Sequence, residues 1–202
     1  MFILINGLKY IMKIYLVRHG ESKGNILNVT QGQLDYDLTK NGKEQAKKTA
    51  FLLKNERIDY VFSSDLKRAV KTMNEIIKFH IEIKDKKIVP ELRERLKGEF
   101  QGIKKEKLND EIKKSKKPYH LFLPKGGESL KDSFDNIKDF CYDLNERAKN
   151  NNILVVSHGE PLACIMMHLL NSPVNEYKKY LMKNAELKTL EIIGNTFRLI
   201  KE

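Results

Sequence analysis

Apolar residues fall along this chain in two kinds of run: short blocks rich in β-branched residues and bounded by polar turns, and longer stretches where they recur every three to four positions. Lys13-Ile-Tyr-Leu-Val17 is the first block, and it stops at Arg18-His19-Gly20, as a buried strand ending in a loop does. Asp37 to Gly42 is turn-like, and Thr39 is predicted to cap a helix from about Lys40 to Asn55, with Ala46, Ala50 and Leu53 on one face. Ile58 to Ser63 reads as a second strand. Asp65 to Phe79 follows as a helix whose apolar stripe is Leu66, Ala69, Met73, Ile76 and Ile77. From Glu91 to Pro124 the periodicity weakens, and Gly98, Gly102, Pro118 and Pro124 punctuate it. An irregular excursion over one end of a sheet is predicted there, at about 95–125.

Gly126-Gly127-Glu128-Ser129 opens a predicted helix that runs to about Lys149 and turns Leu130, Phe134, Ile137, Phe140, Cys141 and Leu144 inward, with Ser129 as its N-cap. Ile153 to Ser157 is the most apolar strand, and it ends on His158-Gly159 before a helix from Pro161 to Leu170. Leu187 to Ile193 and Thr196 to Ile200 are strand-like and joined by Gly194-Asn195 as a hairpin. Strands alternating with helices in this way predict an α/β fold, a three-layer αβα sandwich around a mostly parallel sheet. One domain over 1–202 is expected, with 1–11 as an N-terminal extension and Met12 as an alternative start, since Lys13 already begins the first strand.

Composition narrows the classes of function. At 41% hydrophobic residues, the 202-residue chain can build a core, so general disorder is excluded. No apolar run approaches the roughly 18 residues a membrane span needs, and residues 1–12 lack the basic start and cleavage site of a signal peptide. A cytoplasmic protein without membrane attachment is expected. Cys141 and Cys164 lie in apolar helical patterns and read as buried thiols. Cys164 and His168 share a helix face, but two ligands do not make a zinc site.

A formal charge of +11 raises the question of nucleic acid. Against it, the excess is Lys spread over polar helix faces, the run Lys97 to Lys117 is interspersed with Glu and Asp, and no aromatics interleave it as base-stacking sites would. That run is read as a solvated helix and loop, and no nucleic-acid partner is expected.

The strand ends carry the candidate chemistry. In open α/β sheets ligands gather at the carboxyl ends of strands, and here two such ends are each followed by His-Gly, at His19 and His158. Arg18 offers a planar fork for an anion, His19 a nitrogen nucleophile, and Gly20 close backbone approach. Ser63-Ser-Asp-Leu-Lys-Arg68 puts a second arginine about one turn into the next helix. Phosphoryl transfer needs a nucleophile, cations around the oxygens and an acid for the leaving group. Spacing leaves that acid open among Glu91, Glu94 and Glu99.

Taken in order, Leu16-Val-Arg-His-Gly-Glu-Ser-Lys-Gly-Asn25, Gln31-Gly32, Leu38-Thr39, Ser63-Ser-Asp-Leu-Lys-Arg-Ala69, Gly126-Gly-Glu-Ser129 and Ser157-His-Gly159 resemble the histidine phosphatase superfamily, the phosphoglycerate mutase-like fold. The resemblance spans about Lys13 to Leu170. It implies that His19 is the phosphorylated histidine, that Arg18 and Arg68 bind phosphate, and that a protonated His158 shares the charge. It implies further that Asn25, Gln31 and the Gly159 N–H line the phosphate pocket, and that Glu94 is the proton donor. No metal and no cofactor are implied, and the partner is a small-molecule phosphate monoester acted on by a monomer or homodimer.

Two departures bear on the leaving-group side: Asp37 where the family commonly has proline before Leu-Thr, and Phe100-Gln101-Gly102 where it has an aromatic-Glu-Gly. Leu34, Tyr36, Phe100, Tyr119, Phe122 and the Lys-rich excursion are expected to wall that side. The short span between Glu94 and His158 favours a phosphatase like those acting on α-ribazole phosphate over a bisphosphate-dependent mutase. An inactive binding module is the remaining alternative.

Overall fold

The six-residue strand β3 (Lys13–Arg18) lies at the centre of the molecule because it is apolar on both sides. Ile14 and Leu16 face one layer, Tyr15 and Val17 the other, and all four are buried. The computed structural model describes residues 3–5, 8–194 and 196–200. Among the described residues, Ile3–Ile5 (β1) and Leu8–Tyr10 (β2) pair with each other as a two-stranded sheet separate from the main one.

That sheet has the order β5-β4-β6-β3-β7-β8, where β4 is Tyr60–Ser63, β5 Asp85–Ile88, β6 Ile153–Ser157, β7 Leu187–Ile193 and β8 Thr196–Ile200. The first four strands in this order run parallel, and β7 and β8 add an antiparallel edge. The β7–β8 hairpin pairs Ile193 with Thr196, as the Gly194-Asn195 turn predicts, although Asn195 itself lies outside the described residues.

A short helix, α1 (Lys23–Ile26), follows β3, and longer helices cover both faces of the sheet. Helices α2 (Lys40–Leu53) and α3 (Lys67–Ile76) bury Ala50, Leu53, Ala69, Met73 and Ile76 against Tyr15, Val17, Leu154 and Val156. Thr39 caps α2 as predicted, its hydroxyl accepting from the Gly42 N–H at 2.9 Å. On the other face lie α5 (Leu130–Asn136), α6 (Lys138–Ala148) and α7 (Gly159–Leu169), packed on Ile14, Leu16, Ile153 and Val155. Every residue of α7 except His168 is buried, the pattern of a helix wedged between other elements. No helix among the described residues is long and apolar enough to cross a membrane.

Three expectations need correction. The helix from Ser129 is two helices, broken where Ile137 adopts φ −86° and ψ 0°. Because one altered residue leaves the apolar phase unchanged, Ile137, Cys141 and Leu144 stay buried and periodicity could not reveal the break. Strand β5 was not expected, since Asp85-Lys-Lys-Ile88 is polar and mostly exposed and exists through its pairing with β4. The excursion is also less irregular than its sequence suggests. It contains α4 (Lys105–Ser115), under which Phe100, Leu108 and Phe122 form a small separate core.

Candidate active site

Strand register brings the two histidines together. Arg18 of β3 is paired with Ser157 of β6, so the residues that follow each, His19 and His158, emerge side by side with ring centroids 5.0 Å apart. Parallel β4 ends at the same level, and Ser64, one residue beyond it, sets its hydroxyl 2.9 Å from His158 Nε2.

His19 is almost fully buried, and its Nδ1 lies 2.7 Å from the Gly20 carbonyl oxygen. A carbonyl can only accept, so Nδ1 carries the proton and Nε2 keeps its lone pair. Burial first, then the charges of Arg68 and Arg18, hold the His19 imidazole well below its ordinary pKa. The ring is therefore neutral, as a nucleophile must be.

His158 departs from the expected protonated form. Its Nδ1 accepts a hydrogen bond from Arg68 Nε at 3.2 Å, which requires a lone pair there, and its Nε2–H then donates to Ser64. Burial and the charges of Arg68, His19 and Arg18 depress its pKa as well. Two neutral buried imidazoles have a consequence for stability. Unfolded histidines titrate near pH 6.5, so below that value the unfolded chain binds more protons than the folded one, and stability falls as pH drops through this window. The thermal midpoint is expected to decline between about pH 7 and about pH 5, less steeply in His19→Asn; a flat wild-type profile would contradict the neutral pair.

Arg68 is buried at the N-terminus of α3 and spans the site: Nη1 donates to the Leu34 carbonyl at 2.7 Å and Nη2 to the Gly32 carbonyl at 2.8 Å. Burial lowers its pKa to about 10, so it remains a cation at neutral pH. Arg18 donates through Nη1 to the Met182 carbonyl at 2.6 Å, while its buried Nε has no protein partner. Gly159 opens α7 with an N–H that has no partner inside the helix. A Cβ at that position would sit 3.8 Å from the Arg18 guanidinium.

Arg18, His19, Asn25, Gln31, Arg68 and Glu94 line one cavity of about 210 Å³. His158 and Gly159 stand immediately behind its wall, in contact with Arg68 and Arg18. Asn25 and Gln31 are held from the side by Ser22, whose hydroxyl lies 2.8 Å from Asn25 Oδ1 and 2.7 Å from Gln31 Oε1. Position separates the three carboxylates. Glu94 is half-buried and borders the cavity, whereas Glu91 and Glu99 are exposed and lie outside it.

Of the expected wall, Tyr119 and the Lys-rich excursion reach the cavity, the latter through Lys97, Lys105, Leu108 and Asn109, while Leu34, Tyr36, Phe100 and Phe122 do not line it. Phe100 and Phe122 pack on each other, and Leu34 contributes its backbone carbonyl to Arg68. His168, the weak metal candidate, places Nε2 2.6 Å from the Phe134 carbonyl and stacks on the Phe134 ring.

One buried network beside the site went unpredicted. Glu160, in the first turn of α7, receives Arg95 Nε at 2.6 Å, Lys97 Nζ at 2.6 Å and the Tyr119 hydroxyl at 2.5 Å. Burial alone would raise the Glu160 pKa, but Lys97 and Arg95 outweigh it and keep the carboxylate ionised. The same Arg95 donates its backbone N–H to Glu94 Oε1 at 3.0 Å, so the network anchors the loop that carries Glu94. Gly127 and Gly98 complete that anchor, since a Cβ on Gly127 would lie 2.7 Å from the Gly98 nitrogen. The available signal was a lone acidic residue, Glu160, within an otherwise apolar stretch.

An α/β sheet with two histidines and two arginines at the carboxyl ends of parallel strands defines a phosphoryl-handling enzyme class. The histidine phosphatase superfamily (branch 1) model matches residues 14–201, and the chain belongs to that family. It is 32% identical over 187 residues to Phosphoserine phosphatase 1 of Hydrogenobacter thermophilus, covering 90% of this chain and 87% of that one. Against the Metal-independent phosphoserine phosphatase of Arabidopsis thaliana it is 35% identical over 185 residues, covering 82% and 75%. The crystal structure of a putative α-ribazole-5'-P phosphatase from Escherichia coli superposes with a TM-score of 0.84 at 25% identity, over 95% of each chain. The protein is a phosphatase of the histidine type.

Proposed function

We propose that the chain is a metal-independent phosphomonoesterase that hydrolyses a small-molecule phosphate ester through a phosphohistidine on His19. The observation that carries this reading is the His19 Nδ1–Gly20 carbonyl bond, which leaves Nε2 as a neutral nucleophile at the cavity floor. In the first step Nε2 attacks phosphorus as the ester P–O bond breaks. Arg18 Nε, the remaining N–H groups of Arg68 and the Gly159 N–H receive the phosphoryl oxygens, with Asn25 and Gln31 at the side. Glu94 gives its proton to the departing alkoxide. In the second step water attacks the phosphohistidine, Glu94 takes its proton back, and inorganic phosphate leaves.

His158 acts through Arg68, whose Nε–H it accepts, and so holds the guanidinium in place. The cationic work is done by the arginines, which supplies what a divalent ion does in other phosphoryl-transfer sites. Two free buried cysteines suit a reducing compartment, in keeping with a cytoplasmic enzyme.

The test is single-turnover mixing with p-nitrophenyl phosphate in EDTA, followed by intact-protein mass at neutral or alkaline pH, where phosphohistidine survives. A phosphate adduct is expected to appear and decay in the wild type. In Glu94→Gln the adduct persists about 10²-fold longer, because the base for the attacking water is gone while p-nitrophenolate leaves without an acid. Turnover with no adduct at any time, or turnover that stops in EDTA, would sink the reading.

A further inference from the structure

The nucleophile is held from behind by residues 182–186, the segment that leads into β7 and belongs to none of the sequence motifs. Its backbone grips the end of β3 at three points. The Met182 carbonyl accepts from Arg18 Nη1 at 2.6 Å, the Glu186 carbonyl accepts the Arg18 N–H at 3.2 Å, and the Ala185 N–H donates to the His19 carbonyl at 3.1 Å. Between these contacts the Asn184 side chain reaches in, with Nδ2 3.1 Å from the His19 carbonyl oxygen, 3.4 Å from that of Gly20 and 3.3 Å from Asn25 Oδ1.

All three of those oxygens are acceptors. Backbone carbonyls can only accept, and Asn25 Oδ1 already receives the Ser22 N–H at 3.0 Å. The end of the Asn184 amide that faces them is therefore its NH₂. The Gly20 oxygen is also the one that lies 2.7 Å from His19 Nδ1 and so fixes the ring. Asn25 borders the cavity, and with Oδ1 turned toward Ser22 and Asn184 its own NH₂ is left for a phosphoryl oxygen. One amide thus joins the backbone of the nucleophile, the acceptor that orients its ring and a side chain of the phosphate pocket. The segment keeps an unfavourable conformation to do so: Ala185 has φ 56°, and the Thr49 hydroxyl donates to its carbonyl at 2.7 Å. Backbone strain of this kind persists where the surroundings over-determine it.

We propose that Asn184 is a positioning residue for phosphoryl transfer, an amide clamp that fixes His19, Gly20 and Asn25 relative to one another so that Nε2 meets phosphorus in line. This rests on the phosphatase reading and adds to it a residue that does not border the cavity. Reaction rate is far more sensitive to such positioning than affinity is, since a misplacement of about 1 Å can cost about 10²-fold in rate. Loss of the clamp therefore slows chemistry while Arg18 and Arg68 still bind phosphate.

The experiment measures two quantities in the full chain: the single-turnover rate of phosphate-adduct formation from p-nitrophenyl phosphate, and the inhibition constant of inorganic phosphate. Asn184→Ala is expected to slow adduct formation by about tenfold, the scale of one or two lost hydrogen bonds, and to change the phosphate constant by less than about threefold. Asn184→Asp, which has the same shape but sets an anion against three oxygens, is expected to lose about 10²-fold in rate. Thr49→Val is the structural control: it frees the Ala185 carbonyl without touching the amide, and is expected to lower the thermal midpoint with a rate within about threefold of wild type. An Asn184→Asp rate close to wild type overturns the clamp. So does a Thr49→Val rate as low as that of Asn184→Ala, which would make loop placement the cause, or a phosphate constant in Asn184→Ala that rises as much as the rate falls, which would make the amide a binding group. A wild type that forms no adduct overturns the phosphatase reading and the clamp with it.

Discussion

His19→Ala is expected to retain less than about 10⁻⁴ of wild-type turnover, the scale seen when a covalent nucleophile is removed, and to form no phosphate adduct. The size follows from the site's geometry. Among the described residues no other neutral nitrogen with a free lone pair faces the cavity, since His158 Nδ1 is engaged by Arg68 and its Nε2 by Ser64. Loss of folding would not explain the result, because the backbone bonds that place residue 19 do not use its side chain. The residue 19 N–H donates to Ser157 at 3.0 Å, and its carbonyl accepts from Ala185 at 3.1 Å. A thermal midpoint close to wild type is the control. A variant keeping more than about one per cent of activity would mean that water attacks the ester directly and that His19 only binds phosphate.

The second large effect is on stability. Glu160→Ala is expected to cost about 3–5 kcal/mol of unfolding free energy, because removing one member of a buried ion cluster strands the others. Arg95 is 2% exposed and Lys97 6% exposed, so neither can turn to water without breaking its packing. Tyr119, stacked on Tyr177 with centroids 4.9 Å apart, would lose its acceptor as well. Urea denaturation of Glu160→Ala, Lys97→Met and the double variant measures the coupling. The double variant is expected to be less destabilised than the sum of the singles, since Lys97→Met removes one stranded charge. Strict additivity would show that the cluster contributes through packing alone. Activity should fall too, because Arg95 fixes both Glu160 and the Glu94 loop.

The motif residues were legible because each lies at a point where local pattern changes. His19 and His158 directly follow two strongly apolar strands, and Arg68 lies in the first turn of an amphipathic helix. Glu94 was different: three carboxylates share a loop with no periodicity, and only the bonds from Arg95 and the packing of Gly98 on Gly127 decide which one borders the cavity. The charge state of His158 was misjudged for a similar reason. A lone sequence cannot show that Arg68 Nε donates to its Nδ1 from 90 positions away.

By itself, the sequence determined the α/β class, the phase of the buried faces on α2 and α3, the Thr39 and Ser129 caps, and the ends of the two strands at which the candidate site residues gather. These depend on interactions within a few residues, where period and capping chemistry act directly. The tertiary structure alone decided the Arg18–Ser157 register that sets His19 beside His158, the polar edge strand β5, the break at Ile137, the Glu160 cluster and the placing of Lys105 over the cavity. Each of these joins segments distant in the chain, and such pairings are chosen by burial and hydrogen-bond satisfaction in the assembled molecule, which local pattern does not encode.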